Sequence, residues 1–443
     1  MIKNLVSVRF LILSSVAVVL SFGRLFAALA VEPKDAVIYQ VNFRAFSPGA
    51  NIAGVQARLD DIQSLGANVL YLLPIYPIGM LKSINSPYCV RDYTAVNSDL
   101  GTLADLRAFV EEAHKRKMAV IFDWVADHTA WDNAWIENKS WYLQDAAGDI
   151  ISPPNTGWND VAALNFDNKE MREAMIEAMR YWVLQANIDG YRCDAADSVP
   201  FEFWKQAIAS LNTIPGHKLL FFAEGARPDQ FKAGFQLKYG LAFYGSIKDI
   251  FGGNASVLSI DTLNTTEYTD ATPDDRVVRY ISNHDVDQSD GTPVSLFDGK
   301  RGSLAAFVAA AYMKAAPMIY DGQEVGCPVK LQFMDNSTTI DWTLNPEMLE
   351  EYKKIIAFRT GSEAIKQGDL VSYSTADICA FTKSLNKDTV LVIVNLRNAA
   401  ISYATPPALV GSAWKNAFEG GSVTLSDQVN LQPFQYLVLG AVK

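Results

Sequence analysis

The sequence predicts an α/β fold: a (β/α)8 TIM barrel with a short inserted loop domain after strand 3 and a C-terminal antiparallel β-sandwich domain. Three observations support this prediction. Short β-rich runs alternate with helical patterns as far as about residue 359, and chemically reactive side chains stand at the ends of several runs. From about residue 367, strand-like runs follow one another without helices. The 443 residues suffice for such a barrel and a smaller unit.

Eight β-rich runs supply the predicted barrel strands. The same alternation of strands and helices could also form a doubly wound open sheet, which is the structural alternative to a closed barrel. The runs are residues 36–41, 69–73, 118–123, 190–194, 219–224, 241–247, 277–283 and 318–321. Amphipathic stretches between them, at 103–116, 169–185 and 304–315, predict helices that pack on the barrel.

The chain divides into three predicted segments, the second of which contains an insertion. Residues 1–30 form a secretory signal peptide, because Lys3 and Arg9 precede an apolar run and a small-residue cleavage site ends at Ala30. An uncleaved anchor is the alternative, and Arg24 disfavours it by interrupting the apolar segment. Residues 31–365 form the barrel, with the insertion at 128–168, and residues 366–443 the C-terminal domain. The protein is therefore expected to be secreted or periplasmic, without a membrane span in the mature chain.

Charge and cysteine content restrict the class of partner. A net charge of −11 argues against nucleic acid, which binds clustered lysine and arginine. The four cysteines are too scattered for a disulfide scaffold or a metal site, and the sequence does not determine any pairing. They are Cys89, Cys193, Cys327 and Cys379.

Acidic residues follow four of the predicted strands, where barrel enzymes build their active sites. They are Asp123, Asp194, Glu224 and Asp285. Arg192 precedes Asp194 by two positions, so both side chains face the same side of the strand and Arg192 favours the ionised carboxylate. Glu224 ends an apolar run, and burial beside Asp194 is expected to raise its pKa. One ionised and one protonated carboxyl group are what retaining glycoside hydrolysis needs.

Two histidines stand beside acids at strand ends. His128 follows Asp127, and His284 precedes Asp285. A metal site is the alternative interpretation, but these residues belong to separate strands and no His-Glu-x-x-His helix is present.

The segments that carry these residues resemble, in order and spacing, those of the α-amylase family of retaining glycosidases. Residues 122–128 (FDWVADH) resemble the segment after the third strand, and 190–196 (GYRCDAA) resemble the nucleophile segment. Residues 222–225 (FAEG) and 282–285 (SNHD) resemble the acid/base and third-acid segments. Tyr88 stands where the family places a sugar-stacking tyrosine. The resemblance runs from about residue 36 to the C-terminus.

The resemblance implies a role for each matched residue. Asp194 is the nucleophile, Glu224 the acid/base, and Asp285 the third acid, which binds the 2- and 3-hydroxyls of the distorted sugar. The implied substrate-binding residues are Tyr88, His128, Arg192 and His284.

The implied activity is retaining hydrolysis of α-1,4-glucosidic bonds in starch-like glucans or maltooligosaccharides. An α-glucosidase or a transglycosylase acting on short oligosaccharides would use the same residues and stays an alternative. A non-catalytic glycan-binding relative is disfavoured because all three acids are present.

The resemblance implies no cofactor for the chemistry and leaves a structural Ca²⁺ possible. Asp127 replaces the asparagine that often binds calcium in the family, and a carboxylate can also bind it. Ala163 and Asn165, however, stand where further acidic ligands are usual. The insertion is also rich in aromatic residues, whose role as a local core or as sugar platforms stays open. They are Trp131, Trp135, Trp141, Tyr142 and Trp158.

Overall fold

The computed structural model describes residues 29–441, so the predicted signal peptide lies outside the described residues except for its last two positions. The first ten strands are β1 (Ile38–Val41), β2 (Val69–Leu72), β3 (Ala119–Trp124), β4 (His128–Ala130), β5 (Val161–Ala163), β6 (Gly190–Cys193), β7 (Leu220–Ala223), β8 (Leu237–Tyr239), β9 (Arg276–Arg279) and β10 (Ala316–Tyr320).

Eight of these strands close into a parallel barrel in the order β1-β10-β9-β8-β7-β6-β3-β2. Every residue of the eight strands is buried, as expected when one face lines the interior and the other carries helices. Ile38, Tyr71 and Phe222 belong to the interior cluster, whereas alternate residues such as Tyr39 and Phe221 pack outwards. The predicted TIM barrel is confirmed.

Fourteen α-helices, several of them a single turn, are present in the described chain. They are α1 (Phe43–Phe46), α2 (Ile52–Gln56), α3 (Leu59–Leu65), α4 (Leu103–Lys115), α5 (Lys169–Ala186), α6 (Phe201–Leu211), α7 (Gln230–Ala233), α8 (Leu241–Phe251), α9 (Leu258–Thr266), α10 (His284–Ser289), α11 (Pro293–Leu296), α12 (Gly299–Tyr312), α13 (Pro346–Gly361) and α14 (Glu363–Gln367). None of the helices in residues 29–441 combines the length and the apolar character that crossing a bilayer requires.

One predicted barrel strand is wrong. Residues 241–247 form the start of α8, and the barrel strand is the three-residue β8 just before it. The segment is rich in aromatic and branched residues, which suggested a strand. Its buried side chains, however, are Phe243, Tyr244, Ile247 and Ile250, a spacing that places them on one face of a helix.

The insertion after β3 is a short hairpin with little regular structure. β4 and β5 pair antiparallel, with His128 opposite Ala163. Tyr142 is buried, and Trp135 and Trp141 pack against the main core. Trp158, by contrast, is 40% exposed. The insertion therefore uses most of its aromatic residues as a local core and leaves Trp158 at the surface.

The C-terminal unit is antiparallel, as predicted. Its strands are β11 (Asp369–Ser372), β12 (Ile378–Leu385), β13 (Asp388–Asn395), β14 (Ile401–Ala404), β15 (Ala413–Asn416), β16 (Ser422–Thr424), β17 (Gln428–Leu431) and β18 (Tyr436–Ala441). Six form a sheet in the order β11-β12-β13-β18-β15-β16, and the β14–β17 pair packs over it through Tyr403 and Leu431. Alternate residues such as Phe381 join the barrel core. The strand-like runs at residues 370–373, 378–384, 389–394, 423–425 and 434–439 correspond to β11, β12, β13, β16 and β18, whereas the short strands β14, β15 and β17 were not predicted.

All four cysteines are buried free thiols.

Candidate active site

The side chains predicted to act together meet at the C-terminal end of the barrel. Asp194 follows β6, Glu224 follows β7, and Asp285 lies in the first turn of α10, beyond β9. They line a cavity of about 390 Å³ together with Tyr88, His128 and His284. Six of the seven predicted site residues therefore share one cavity wall, and the seventh, Arg192, lies beneath it, fully buried.

Arg192 holds three carboxylates around one guanidinium. Its Nη1 atom donates to Asp123 Oδ1 and to Asp194 Oδ1, at 2.7 Å each. Its Nη2 atom lies 2.6 Å from Glu224 Oε1. A guanidinium presents several N–H groups in one plane, so it can hold carboxylates from three different strands in fixed relative positions.

The distribution of charge in the site differs from the sequence-based expectation. Burial raises the pKa of the Asp194 carboxyl well above its usual range, and the charge of Glu224 adds to this effect while Arg192 opposes it. Burial also acts to raise the pKa of Glu224, but Arg192 and the Ala195 N–H outweigh it, so that pKa is lowered. The expectation was wrong because Arg192 contacts both carboxyl groups rather than Asp194 alone.

The backbone after Asp194 also binds Glu224. Ala195 adopts a left-handed conformation, with φ 39° and ψ 44°. Its N–H donates to Glu224 Oε2 at 2.8 Å, and the N–H of Ala196 donates to the Glu224 carbonyl at 2.8 Å. A non-glycine residue in this conformation is unfavourable in isolation, so the surrounding contacts must maintain it.

A hydrogen-bonded chain supports the opposite wall. The hydroxyl of Tyr88 lies 2.6 Å from His284 Nε2 and donates to Asp123 Oδ2 at 3.0 Å. His284 Nδ1 is 2.8 Å from Gln40 Nε2, and Tyr71 donates to Asp123 Oδ2 at 2.6 Å. The rings of Tyr88 and His284 stack with an angle of 19° between their planes. The predicted platform and sugar-binding histidine are thus fixed relative to each other.

Asp285 is the most accessible of the three acids, with 52% of its side chain exposed. Its position follows from the start of α10, where Asn283 Oδ1 accepts from the N–H groups of Asp285 and Val286, at 2.9 Å each. This N-cap directs the first turn of the helix, and with it Asp285, towards the cavity.

His128 is held by its own neighbour and by the Tyr88 segment. Its Nδ1 atom lies 2.9 Å from Asp127 Oδ1, and its Nε2 atom lies 3.1 Å from the Tyr88 carbonyl oxygen. Burial lowers the pKa of His128, but the Asp127 carboxylate outweighs it and the pKa is raised. His128 is therefore stabilised as a cation by Asp127.

The residues around Asp127 do not fit a calcium ion. The carboxylate of Asp127 is paired with His128, and its carbonyl accepts from Leu164 N–H at 3.0 Å. Calcium takes six to eight oxygen ligands. Across residues 29–441, no three Asp, Glu, His or Cys side chains gather in a metal-binding arrangement. We therefore assign no step to a metal.

Sequence reasoning missed the residues that position this site. Asp123 was recognised as a strand-end acid but was given no role, although it joins Arg192 to Tyr88. Asp197 accepts from the N–H of Ala226 at 2.7 Å and from that of Arg227 at 3.2 Å, which anchors the loop after Glu224. The sequence signal for Asp197 was a departure from the resembled family, in which a basic or histidine pair often stands where this chain has Asp197 and Ser198.

Comparisons with known proteins agree with this architecture. A family model described as "Alpha amylase, catalytic domain" matches residues 37–152. The chain is 24% identical to "Alpha-amylase MalA" of Haloarcula japonica over 90% of its length, and 24% identical to "Alpha-amylase 2" of Dictyoglomus thermophilum over 79%. It spans only 62% and 64% of these two relatives. The crystal structure of an alpha-amylase from Lactobacillus plantarum superimposes with a TM-score of 0.83 at 25% identity, covering 92% of this chain and 99% of that one.

Proposed function

We propose that the chain is a member of the α-amylase family, whose catalytic-domain model matches residues 37–152. We propose further that it hydrolyses α-1,4-glucosidic bonds of starch-like glucans or maltooligosaccharides with retention. The observation that carries the proposal is the contact of one buried guanidinium, that of Arg192, with both Asp194 and Glu224. Retaining hydrolysis requires two carboxyl groups about 5–5.5 Å apart, and a shared buried cation keeps such a pair close together.

In the proposed first step, Asp194 attacks the anomeric carbon while Glu224 gives its proton to the departing glycosidic oxygen. In the second step, Glu224 takes a proton from water, whose oxygen attacks the same carbon and releases Asp194. Burial raises the pKa of Asp194, and Arg192 lowers that of Glu224. The first step requires the proton on Glu224 and an ionised Asp194.

The other cavity residues are proposed to bind the sugar. Asp285 would accept hydrogen bonds from two neighbouring hydroxyls, because its carboxylate is exposed. His128 would bind a hydroxyl oxygen through Nε2, which would exchange its contact with the Tyr88 carbonyl for the sugar. The ring of Tyr88 would support the apolar face of the sugar, with His284 holding it in place.

We propose that the chemistry needs no cofactor and that calcium does not hold the insertion. The Asp127–His128 contact and the β4–β5 pairing would serve that purpose. Addition of a chelator should leave both turnover and the unfolding temperature unchanged. A loss of either, restored by calcium, would contradict this part of the proposal.

We also propose that the protein is exported, on the basis of the charged, apolar and small-residue order of positions 1–30. Amino-terminal sequencing of protein from the medium, the periplasm and the cell would test it. Full-length chain retained inside the cell would contradict export.

The activity is tested by a product time course with soluble starch, pullulan, maltoheptaose and sucrose. The anomeric form of the first product is followed by NMR. We expect maltooligosaccharides from starch, released as α-anomers. Asp194→Asn and Glu224→Gln should remove turnover, whereas Asp388→Asn in the C-terminal sheet should not. Glucose alone, or products longer than the substrate, would indicate the α-glucosidase or transglycosylase alternative. No turnover of any substrate would contradict hydrolysis.

A further inference from the structure

A second large cavity lies between the barrel and the C-terminal sheet. Its volume is about 640 Å³, and its lining comes from α9, the residues before β9 and β10, α14, β11 and β12. Arg276 is the first residue of β9, and Lys314 lies two residues before β10. The cavity therefore opens at the N-terminal ends of these barrel strands, away from the candidate active site at their C-terminal ends.

Cations dominate this cavity although the whole chain has a net charge of −11. Its lining contains Arg276, Lys314, Lys366 and Lys383, against the carboxylates of Asp261 and Asp369. Lys366 is paired with Asp35 and Glu363. The carboxylate of Asp261 accepts hydrogen bonds from serine hydroxyls. Within residues 29–441, no carboxylate forms a salt bridge with the other three cations.

Lys383 is a buried cation in the cavity wall without a carboxylate partner in the described part of the chain. Its side chain is completely buried, and its Nζ atom donates to the Ile365 carbonyl at 2.7 Å. Burial and four surrounding cations lower its pKa to about 7. These cations are Arg276, Arg279, Lys314 and Arg359. A buried ammonium without a counter-ion is costly, so the site would gain from an added anion.

Other polar atoms at the cavity also lack partners. Arg276 is 5% exposed, and its Nε atom is buried without a hydrogen bond in the described structure. Both polar atoms of the Asn264 side chain are likewise buried and without a protein partner. Buried polar groups are normally satisfied, so the Arg276 Nε–H and the Asn264 side-chain amide are available to hydrogen-bond a ligand in the cavity.

From this convergence of cations and unsatisfied donors, we infer that the cavity binds a phosphate-type oxyanion, either free or as the monoester of a small metabolite. A tetrahedral dianion offers several acceptor oxygens and two charges, so it can bind Lys314 and Arg276 and also offset the buried charge of Lys383, whereas a carboxylate offers only two oxygens and one charge. The volume also leaves space for a sugar-sized group attached to the phosphate.

The first test is the unfolding temperature of the full-length protein in sodium phosphate compared with sodium chloride at equal ionic strength. We expect a saturable rise of about 2 °C or more with phosphate, because an anion that binds only the folded state stabilises it. Comparison of a hexose 6-phosphate with the free hexose and inorganic phosphate separates the two ligand sources. Equal curves in phosphate and chloride would overturn the inference.

Variants connect the response to the cavity. Lys314→Gln changes an exposed side chain and should remove most of the phosphate response without affecting folding. Lys383→Met removes the buried charge and should abolish the response. Lys415→Gln, on an exposed position of β15, is the matched control and should respond as the wild type does. A full response in both Lys314→Gln and Lys383→Met would place the anion elsewhere and overturn the assignment.

Discussion

Arg192 Nη2 lies 2.6 Å from Glu224 Oε1, so the guanidinium that the sequence places beside Asp194 also binds the second carboxyl group of the pair. This contact explains why the pKa of Glu224 is lowered although the residue is buried. It also means that the two acids cannot be tuned independently, since a change at Arg192 alters both.

Asp123 should act as a positioning residue for this group. Asp123→Asn removes one of the three carboxyl groups around Arg192 and leaves Tyr71 and Tyr88 facing a weaker acceptor. We expect kcat/KM to fall by about 10- to 100-fold, because small displacements of reacting groups are costly. The measurement is the pH profile of kcat/KM, which reports groups of the free enzyme.

The charge of Asp123 raises the pKa of Asp194. In Asp123→Asn, the acidic limb of the pH profile of kcat/KM should therefore move to lower pH. A purely structural defect would not produce this shift. The Asp388→Asn control should keep the wild-type profile. An unchanged limb would argue against electrostatic coupling of Asp123 to the pair.

Gly225 should be required for the loop that carries Glu224. A Cβ atom at Gly225 would lie 2.3 Å from Asp197 Oδ1 and 2.3 Å from Gln230 Nε2, so Asp197 would have to release the loop. We expect Gly225→Ala to lower kcat by about 100-fold by displacing Glu224, with the far-UV circular dichroism spectrum unchanged.

The matched control for that variant is Gly245→Ala. Gly245 lies within α8, and an added Cβ would meet no atom within 4 Å. Its replacement should stabilise the helix by about 0.5–1 kcal/mol and leave kcat unaltered. Equal activity in the two variants would show that the Asp197 contacts do not position Glu224.

Trp158 should contribute to the binding of longer substrates. Its ring is 40% exposed, lines the cavity and lies 5.7 Å from the ring of His128. Trp158→Ala should raise KM for maltoheptaose by about 10-fold with little change in kcat, corresponding to the loss of about 1–2 kcal/mol of apolar contact. Trp131, whose ring is covered by Lys82, provides the comparison. A drop in kcat alone would instead assign Trp158 to the chemical step.

Glu324 should make the fold less stable as the pH rises. Burial raises its pKa to about 7 from an ordinary value of 4.5. Below pH 4.5 the carboxyl is protonated in both states. Between 4.5 and 7 only the unfolded chain releases the proton, so the free energy of unfolding falls, by about 3 kcal/mol in total for this group.

Glu324→Gln should remove this contribution while keeping an acceptor for the Tyr39 hydroxyl, which donates to Glu324 Oε1 at 2.6 Å. Urea unfolding at pH 4.5 and pH 8 provides the measurement, with Glu137→Gln as an exposed control. Parallel pH dependences in the wild type and Glu324→Gln would contradict the assignment.

Sequence patterns predicted seven of the eight barrel strands, because local periodicity decides which face of a segment is buried. The prediction was wrong at residues 241–247, where composition favoured a strand but the spacing of Phe243 and Ile247 fits a helix. Sequence patterns also could not predict the hydrogen bond between Tyr88 and Asp123, because the two residues are 35 positions apart and meet only after the barrel closes.

The sequence by itself determined the fold class, the C-terminal antiparallel sheet and the order of the acids at the strand ends. Period, composition and short motifs are local properties, and parallel strands in a barrel bring their C-terminal ends together. Only the tertiary structure decided that Arg192 binds Glu224 as well as Asp194, and that Asp127 is paired with His128. It alone placed Lys383 among cations from α13, β9 and the residues before β10. Such contacts depend on distances between segments far apart in the chain, and these distances set burial, charge and pKa together.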